Sequence, residues 1–258
     1  MKSNSSKRIG IIAPMVEEIE MILHHMEVEE KVFSGNRVYH LGKIEGREVV
    51  VALSGIGKVA SSVTAAVMME SFKVTTLIVT GVAGGVHDSV SIGDVVVATQ
   101  AVQHDMDCSP IFPKYEIPLT GITQFTLESS WLPKIVQEVD DYLKQEFTTT
   151  IEQQKAHELG ITLPKVHQGL LLSGDQFIGT ASQLERLQTD FPEALFVEME
   201  GGAVAQICHD YQVPLIMFRS ISDKANDSAH IDFNAYIHYI SRHYTWQLVH
   251  RIVRLLPN

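Results

Sequence analysis

Residues 195–226 constrain the fold more than any other stretch: L-F-V-E-M-E-G-G-A-V-A-Q-I-C-H-D-Y-Q-V-P-L-I-M-F-R-S-I-S-D-K-A-N. Two short apolar runs, 195–197 and 213–218, are rich in strand formers, and between them Ala203, Val204, Ile207 and Cys208 repeat at helical spacing. Strand, helix, strand is the unit that builds a parallel sheet, because parallel neighbours need a long crossover between them. Glu198 and Glu200 fall where the first strand gives way to the helix. Arg219, Ser222 and Asp223 fall just past the end of the second strand. Open α/β sheets bind ligands at the carboxyl ends of their strands, so both polar clusters are expected at a site.

The rest of the chain follows the same grammar. Residues 8–13, R-I-G-I-I-A, are expected as a buried first strand closed by Pro14, then a helix whose apolar face carries Val16, Ile19, Ile22 and Leu23. Glu17 and Glu18 stand in its first turn, where a carboxylate opposes the helix dipole. Residues 37–44 and 48–53 flank E-G-R and read as a hairpin. S-G-I-G-K then leads into a small-residue helix over 59–72. Its glycines have neither Walker nor dinucleotide spacing, so a tight strand-to-helix turn is expected there rather than a phosphate cradle.

Residues 76–80 read as a strand running into G-V-A-G-G at 81–85, expected as a ligand-facing turn because glycine lets a ligand approach the backbone. A strand over 93–99 precedes His104, Asp105 and Asp107. That spacing offers at most three mixed ligands with no partner cluster, so a polar strand end is expected and no metal site. Residues 109–121 are proline-bearing and irregular, suited to a loop over a pocket or against another subunit. An amphipathic helix is expected over 127–147, and 148–165 reads as a polar excursion from the compact fold. A strand over 166–173 runs into S-G-D-Q-F-I-G-T. The last helix, about 232–255, is lined by Phe233, Ile237, Ile240, Tyr244 and Leu248.

Composition narrows the partners. The net charge is −11 with no basic block, which argues against holding nucleic acid by phosphate neutralisation. The first seven residues are polar, expected as a disordered tail and not a secretory signal. No apolar run is long enough to span a membrane. Cys108 and Cys208 lie far apart without metal-ligand spacing, as expected for free thiols in a reduced cytoplasm. With no repeats and no low-complexity segment, residues 8–258 are expected to form a single domain.

Five separated pieces, G-I-I-A-P-M-V-E-E, S-G-I-G-K-V-A, T-G-V-A-G-G, S-G-D-Q-F-I, and V-E-M-E-G-G-A with R-S-I-S-D, stand in an order that resembles the bacterial 5′-methylthioadenosine/S-adenosylhomocysteine nucleosidases of the purine nucleoside phosphorylase superfamily. The resemblance implies an α/β fold, a three-layer α/β/α sandwich around a twisted mixed sheet, and a cytoplasmic homodimer in methionine salvage with neither metal nor cofactor. It implies that the partner is a small adenine nucleoside. Carried over by position, it makes Asp223 the acid that protonates N7 of adenine, with Ser222 holding the carboxyl group. Phe177 would stack on the purine and the backbone of Ile178 would read its edge. Glu200 would bind the ribose hydroxyls, with Met199 against the sugar and Glu198 beside it. Glu18 and Arg219 would hold the attacking water, and Met15, Ile56 and Phe233 would line the ribose and alkylthio end. Residues 112–119 would reach a neighbouring subunit's pocket. Val82 stands where some members carry serine, Asn226 where many carry an acid, and 148–165 is longer than the usual connection.

The chemistry needs such a set. Adenine leaves poorly as an anion, so a proton donor with a raised pKa is required, which burial supplies. A carboxylate near the sugar stabilises the cation that develops there. A base on the far side takes the proton of water, as in an inverting glycosidase. Lys224, expected to face solvent, would lower the pKa of Asp223 if it turned inward. Other readings stand beside this one: Asp223 as a turn cap, Phe177 as core packing, an aminodeoxyfutalosine nucleosidase, a phosphorolytic nucleoside phosphorylase, or a nucleoside-binding protein without turnover.

Overall fold

The protein is described by a computed structural model that covers residues 7–127 and 130–256. The expected tail therefore lies, apart from Lys7, outside the described residues. The chain opens with β1 (Ile9–Ala13), α1 (Val16–His25), β2 (Glu27–Ser34), β3 (Arg37–Ile44), β4 (Arg47–Leu53) and α2 (Lys58–Phe72). Next come β5 (Thr76–Val79), β6 (Val82–Gly85), β7 (Val95–Gln103), β8 (Phe125–Thr126) and α3 (Leu132–Gln145). Two short helices, α4 (Phe147–Thr150) and α5 (Gln153–Glu158), precede β9 (Val166–Ser173), α6 (Ala181–Asp190), β10 (Ala194–Glu198), α7 (Gly201–Tyr211) and β11 (Leu215–Asp223). The chain closes with α8 (Ala229–Tyr236), a π turn (Ile237–Ser241) and α9 (Arg242–Leu255).

Alternation along the strands builds the layers. In β1, Ile9, Ile11 and Ala13 enter one core and Ile12 the other. In β4, Val49 and Val51 join the first core, Val50 and Ala52 the second. The period of two sends neighbouring side chains to opposite faces, so both faces of the sheet need a cover. Ile19 and Ile22 of α1, Ile135 and Val139 of α3, and Leu248 and Ile252 of α9 cover one face. Ala65, Met68 and Phe72 of α2, with Val204 and Cys208 of α7, cover the other. This is the expected three-layer sandwich around a mixed sheet.

Strand order is β2-β3-β4-β1-β5-β11-β6-β10-β9-β7-β8, and β7 also pairs with β11. That extra pairing closes β11, β6, β10, β9 and β7 into a ring. Here the structure corrects the expected strand–helix–strand unit. β10 and β11 are not parallel neighbours: β6 lies between them, antiparallel to β10 and parallel to β11. Gly84 of β6 faces Val197 on one side and Asp223 on the other, so two strands of opposite direction bring their carboxyl ends to one short strand.

Boundaries differ where polar residues are satisfied inside the sheet. Arg219, Ser222 and Asp223 lie within β11, not past it, and 82–85 is strand, not turn. The polar run continues the strand because β6 and β7 complete its ladder on both sides. β2 escaped notice because it is a charged, exposed edge strand, E-V-E-E-K-V-F-S, with no buried face. The 148–165 excursion is also corrected: Ile151, Ala156 and Ile161 are buried in the larger core. Helix α3 begins at Leu132, with a proline in its first turn. Among the described residues no helix is long and apolar enough to cross a membrane.

Candidate active site

The elements converge on one cleft of about 600 Å³. Its lining includes Met15, Glu18, Ile56, Val82, Phe177, Ile178, Glu198, Met199, Glu200, Ser222, Asp223 and Phe233. Every candidate site residue but Arg219 is therefore on the wall. Pro14, Ala83, Gly84, Gln176 and Val197 complete it and were not singled out from sequence. Gly84 and Gln176 sit inside motifs that were read, but nothing in an unaligned sequence marks them as lining.

Arg219 stands behind the wall. It is wholly buried; Nη1 donates to the Thr80 carbonyl at 2.6 Å, and Nη2 donates to Glu198 and, at 3.1 Å, to Glu200. Burial opposes its charge, but the three carboxylates of Glu198, Glu200 and Glu18 more than offset that and raise its pKa. Its bonds go to carboxylates and a carbonyl, and it does not line the cleft, where resemblance placed it beside the attacking water.

Glu18 is buried on the first turn of α1. Its carboxylate accepts from the Met15 N–H and the Val82 N–H, each at 2.9 Å. Burial pushes its pKa up to about 7, while the Arg219 charge and both N–H donors pull it down. Gly81 is what lets these groups meet. At φ +137°, a Cβ there would stand 2.3 Å from Arg219 Nη1 and 2.6 Å from Glu18 Oε1. Val82 contributes a backbone N–H, so its apolar side chain leaves that contact intact.

Glu198 ends β10 and turns back onto α7, accepting from the Gly201 N–H at 2.8 Å and the Glu200 N–H at 3.1 Å. A carboxylate at a helix N-terminus is stabilised by the unpaired N–H groups and the dipole. With Arg219 on the same group, Glu198 is a scaffold for Glu200. The Glu200 carboxylate is held between Arg219 and the Gly57 N–H, 2.9 Å away. Burial, then the neighbouring Glu198 charge, raise its pKa against the pull of Arg219.

Asp223 accepts from the Ala225 N–H at 2.8 Å through Oδ1 and from the Ser222 hydroxyl at 2.7 Å through Oδ2. Burial raises its pKa, and these two donors oppose the rise. The carboxyl lies on the cavity wall at the end of a strand and caps no helix. Its bond to the Ala225 N–H two residues on is the turn cap of the alternative reading, made alongside the cleft position. Lys224 does not face solvent. Its amine turns to the carbonyls of His87, at 3.1 Å, and Val90, and burial lowers its pKa. The ammonium is thus bound by these carbonyls, and the Asp223 carboxyl is held by Ser222 and the Ala225 N–H.

Phe177 is 47% exposed and meets Phe233 edge-on, with ring centroids 5.8 Å apart. So exposed an aromatic on a cleft wall is not core packing. Ile178 joins a small core with Val86, Val102 and Val197. His104, Asp105 and Asp107 lie in the turn and loop that follow β7, and no group of three metal-ligating side chains is found among the described residues.

Buried carboxylates gathered on one cleft, beside a partly closed sheet between two helical layers, are the arrangement of an α/β enzyme site. The sequence profile of the Phosphorylase superfamily matches residues 8–254, and the chain belongs to that superfamily. Among its relatives, it is 35% identical over 231 residues to the 5′-methylthioadenosine/S-adenosylhomocysteine nucleosidase of Staphylococcus carnosus, covering 89% of this chain and 92% of the relative. It is similar to the Neisseria meningitidis nucleosidase of the same name solved with methylthio-immucillin-A (29% identity, TM-score 0.81, covering 97% and 100%). It is also similar to the futalosine hydrolase of Helicobacter pylori (33% identity, TM-score 0.80, covering 98% and 100%). Within its superfamily the chain groups with the nucleosidases, hydrolases of N-glycosidic bonds.

Proposed function

We propose that this enzyme hydrolyses 5′-methylthioadenosine and S-adenosylhomocysteine to adenine and the 5-thioribose product. The observation that carries the reading is the convergence of Asp223, Glu18 and Glu200, remote in sequence, on one cleft. Asp223 donates its proton to N7 so that adenine leaves neutral, and Ser222 orients the carboxyl group. Glu18, with a pKa of about 7, takes the proton of the attacking water at neutral pH. Glu200 receives the ribose hydroxyls, Met199 packs on the sugar, and Phe177 stacks on the base. Met15, Ile56 and Phe233 surround the alkylthio group.

The arrangement fits inversion: Glu18 holds the Val82 N–H while Asp223 pairs beside Gly84, so base and acid meet the cleft at different points of β6. Glu18 also disfavours phosphate as the acceptor, because two anions would share a buried space. We propose a homodimer as well. Ile56, Val59 and Val63 at the start of α2, and Ile111 and Leu119 on the 109–121 loop, are large apolar side chains left exposed. The free thiols of Cys108 and Cys208 suit the cytoplasm.

Incubating the purified protein with methylthioadenosine in phosphate-free buffer tests the reading: adenine is expected, at a rate that added phosphate does not raise. The similarity to a futalosine hydrolase motivates aminodeoxyfutalosine as a second substrate, since it shares the adenine and ribose. A higher kcat/KM for it than for methylthioadenosine would reverse the assignment.

A further inference from the structure

Two of the segments that frame the cleft, 54–58 and 174–178, are fastened together by one carboxylate from outside it. Asp105 follows the end of β7. Its Oδ1 accepts from the Lys58 ammonium at 2.6 Å, and its Oδ2 accepts from the Asp175 N–H at 2.8 Å. Asp175 in turn accepts the Lys58 N–H at 2.8 Å. One residue earlier, the Gly57 N–H donates to Glu200. The two adjacent peptide N–H groups that start α2 are thus taken by two carboxylates from distant parts of the chain. The turn calls for glycine: Gly57 has φ +99°, and a Cβ there would lie 3.0 Å from Asp175 Oδ1.

This arrangement has a mechanical consequence. The Lys58–Asp105 pair is only 16–20% exposed, so solvent screens it less than an open surface pair. Burial alone would raise the Asp105 pKa, but Lys58 and the Asp175 N–H outweigh it and the net shift is downward, so the anion is the resident form. Without the Lys58 ammonium the turn that carries Gly57 keeps its tie to Asp175 through the Lys58 N–H but loses the one to Asp105. Glu200 then keeps Arg219 while the donor on its other oxygen is placed less firmly.

We propose that Asp105 and Lys58 are positioning residues that set the orientation of Glu200, and through it the enzyme's demand for ribose hydroxyls. The proposal rests on the reading that Glu200 receives those hydroxyls, and it adds two residues that touch no substrate. It also explains why a lysine and an aspartate that form no metal site and no phosphate cradle stand beside the cleft.

The test compares kcat/KM for methylthioadenosine and its 2′-deoxy counterpart in the wild type, Asp105→Asn, Lys58→Met and the double variant. The wild type is expected to prefer the hydroxylated substrate. Each single variant is expected to lose on the order of tenfold or more of that preference, mostly through the hydroxylated substrate, with the double variant no worse than the singles. A wild type indifferent to the hydroxyl would remove the assignment of Glu200 itself. A discriminating wild type whose variants slow both substrates equally, or not at all, would leave Glu200 in place and overturn the positioning role. Should Asp105→Asn fold poorly, Lys58→Met decides the question alone, since it leaves the bond from Asp175 to Asp105 intact.

Discussion

Replacing Asp223 by asparagine isolates the proton that the mechanism requires. The two side chains have the same shape. Oδ1 keeps the Ala225 N–H at 2.8 Å, and the new amide donates to Ser222 Oγ, whose hydroxyl is free to turn to the Ala83 carbonyl at 3.3 Å. The fold therefore loses no partner, and it sheds a carboxyl group whose ionised form burial disfavours. What disappears is the acid, a contribution of about 10²- to 10⁴-fold, or roughly 3–5 kcal/mol of barrier. Adenine release by the variant is expected to fall by that factor in kcat at an unchanged or slightly higher melting temperature. A 5-methylthioribosyl donor carrying nitrophenolate supplies the control, because that group departs as a stable anion without a proton. Its cleavage is expected to slow by less than about tenfold, since no acid step is removed. If the variant releases adenine within about threefold of the wild-type rate, Asp223 is not the acid. Equal losses on both substrates would place its role in binding.

Glu18 makes two effects of pH measurable. kcat/KM is expected to fall below pH about 7 as the base takes up its proton, a limb absent from a uniformly slow Glu18→Gln. In the fold Glu18 holds its proton up to about 7 rather than 4.5, so the native state binds the proton more tightly between these values. Stability then falls as pH rises through that window, by up to about 3 kcal/mol in denaturant titrations, and less in Glu18→Gln. Gly81→Ala forces a Cβ to within 2.3 Å of Arg219 Nη1 at φ +137°, and is expected to cost about 1–3 kcal/mol of stability and most activity. Normal kinetics in that variant would show that the close packing of Arg219 and Glu18 against residue 81 is dispensable. Lys224→Met takes the ammonium from the Val90 carbonyl and one of two donors from the His87 carbonyl, which keeps the Val90 N–H, at a cost of about 1–3 kcal/mol. The alkaline limb of its pH profile is expected to match wild type, and a displaced limb would mean that Lys224 tunes Asp223.

The layers were legible because strand alternation and helix periodicity are local signals. Ile9, Ile11 and Ile12 announce two cores from three residues. The wall residues were legible through motif resemblance, and the cleft collects all of them but Arg219. What sequence could not carry is partnership at a distance. Arg219 after an apolar strand reads as a site residue whether it faces the cleft or lies behind it, and only the positions of Glu198 and Glu200 decide. Lys224 reads as a surface lysine until the chain around His87–Val90 presents its carbonyls. The antiparallel relation of β10 and β11 depends on β6, four residues more than a hundred positions upstream, whose glycines look like a turn until they are paired on both sides.

The charge count of the site explains why its carboxyl pKa values rise instead of falling beside an arginine. One guanidinium faces Glu18, Glu198 and Glu200, all buried. Glu198 takes the strongest share, with helix N–H groups added. Glu18 and Glu200 are left with burial and mutual repulsion that Arg219 only partly cancels. Raised pKa values mean that these carboxyl groups hold protons near neutral pH. Positive charge growing on a bound ribose would favour their ionised form, a stabilisation greater in the transition state than in the ground state. Arg219 is thus set by number as much as by place: a second buried cation would lower these pKa values, ionise the groups before the sugar is charged and remove that difference.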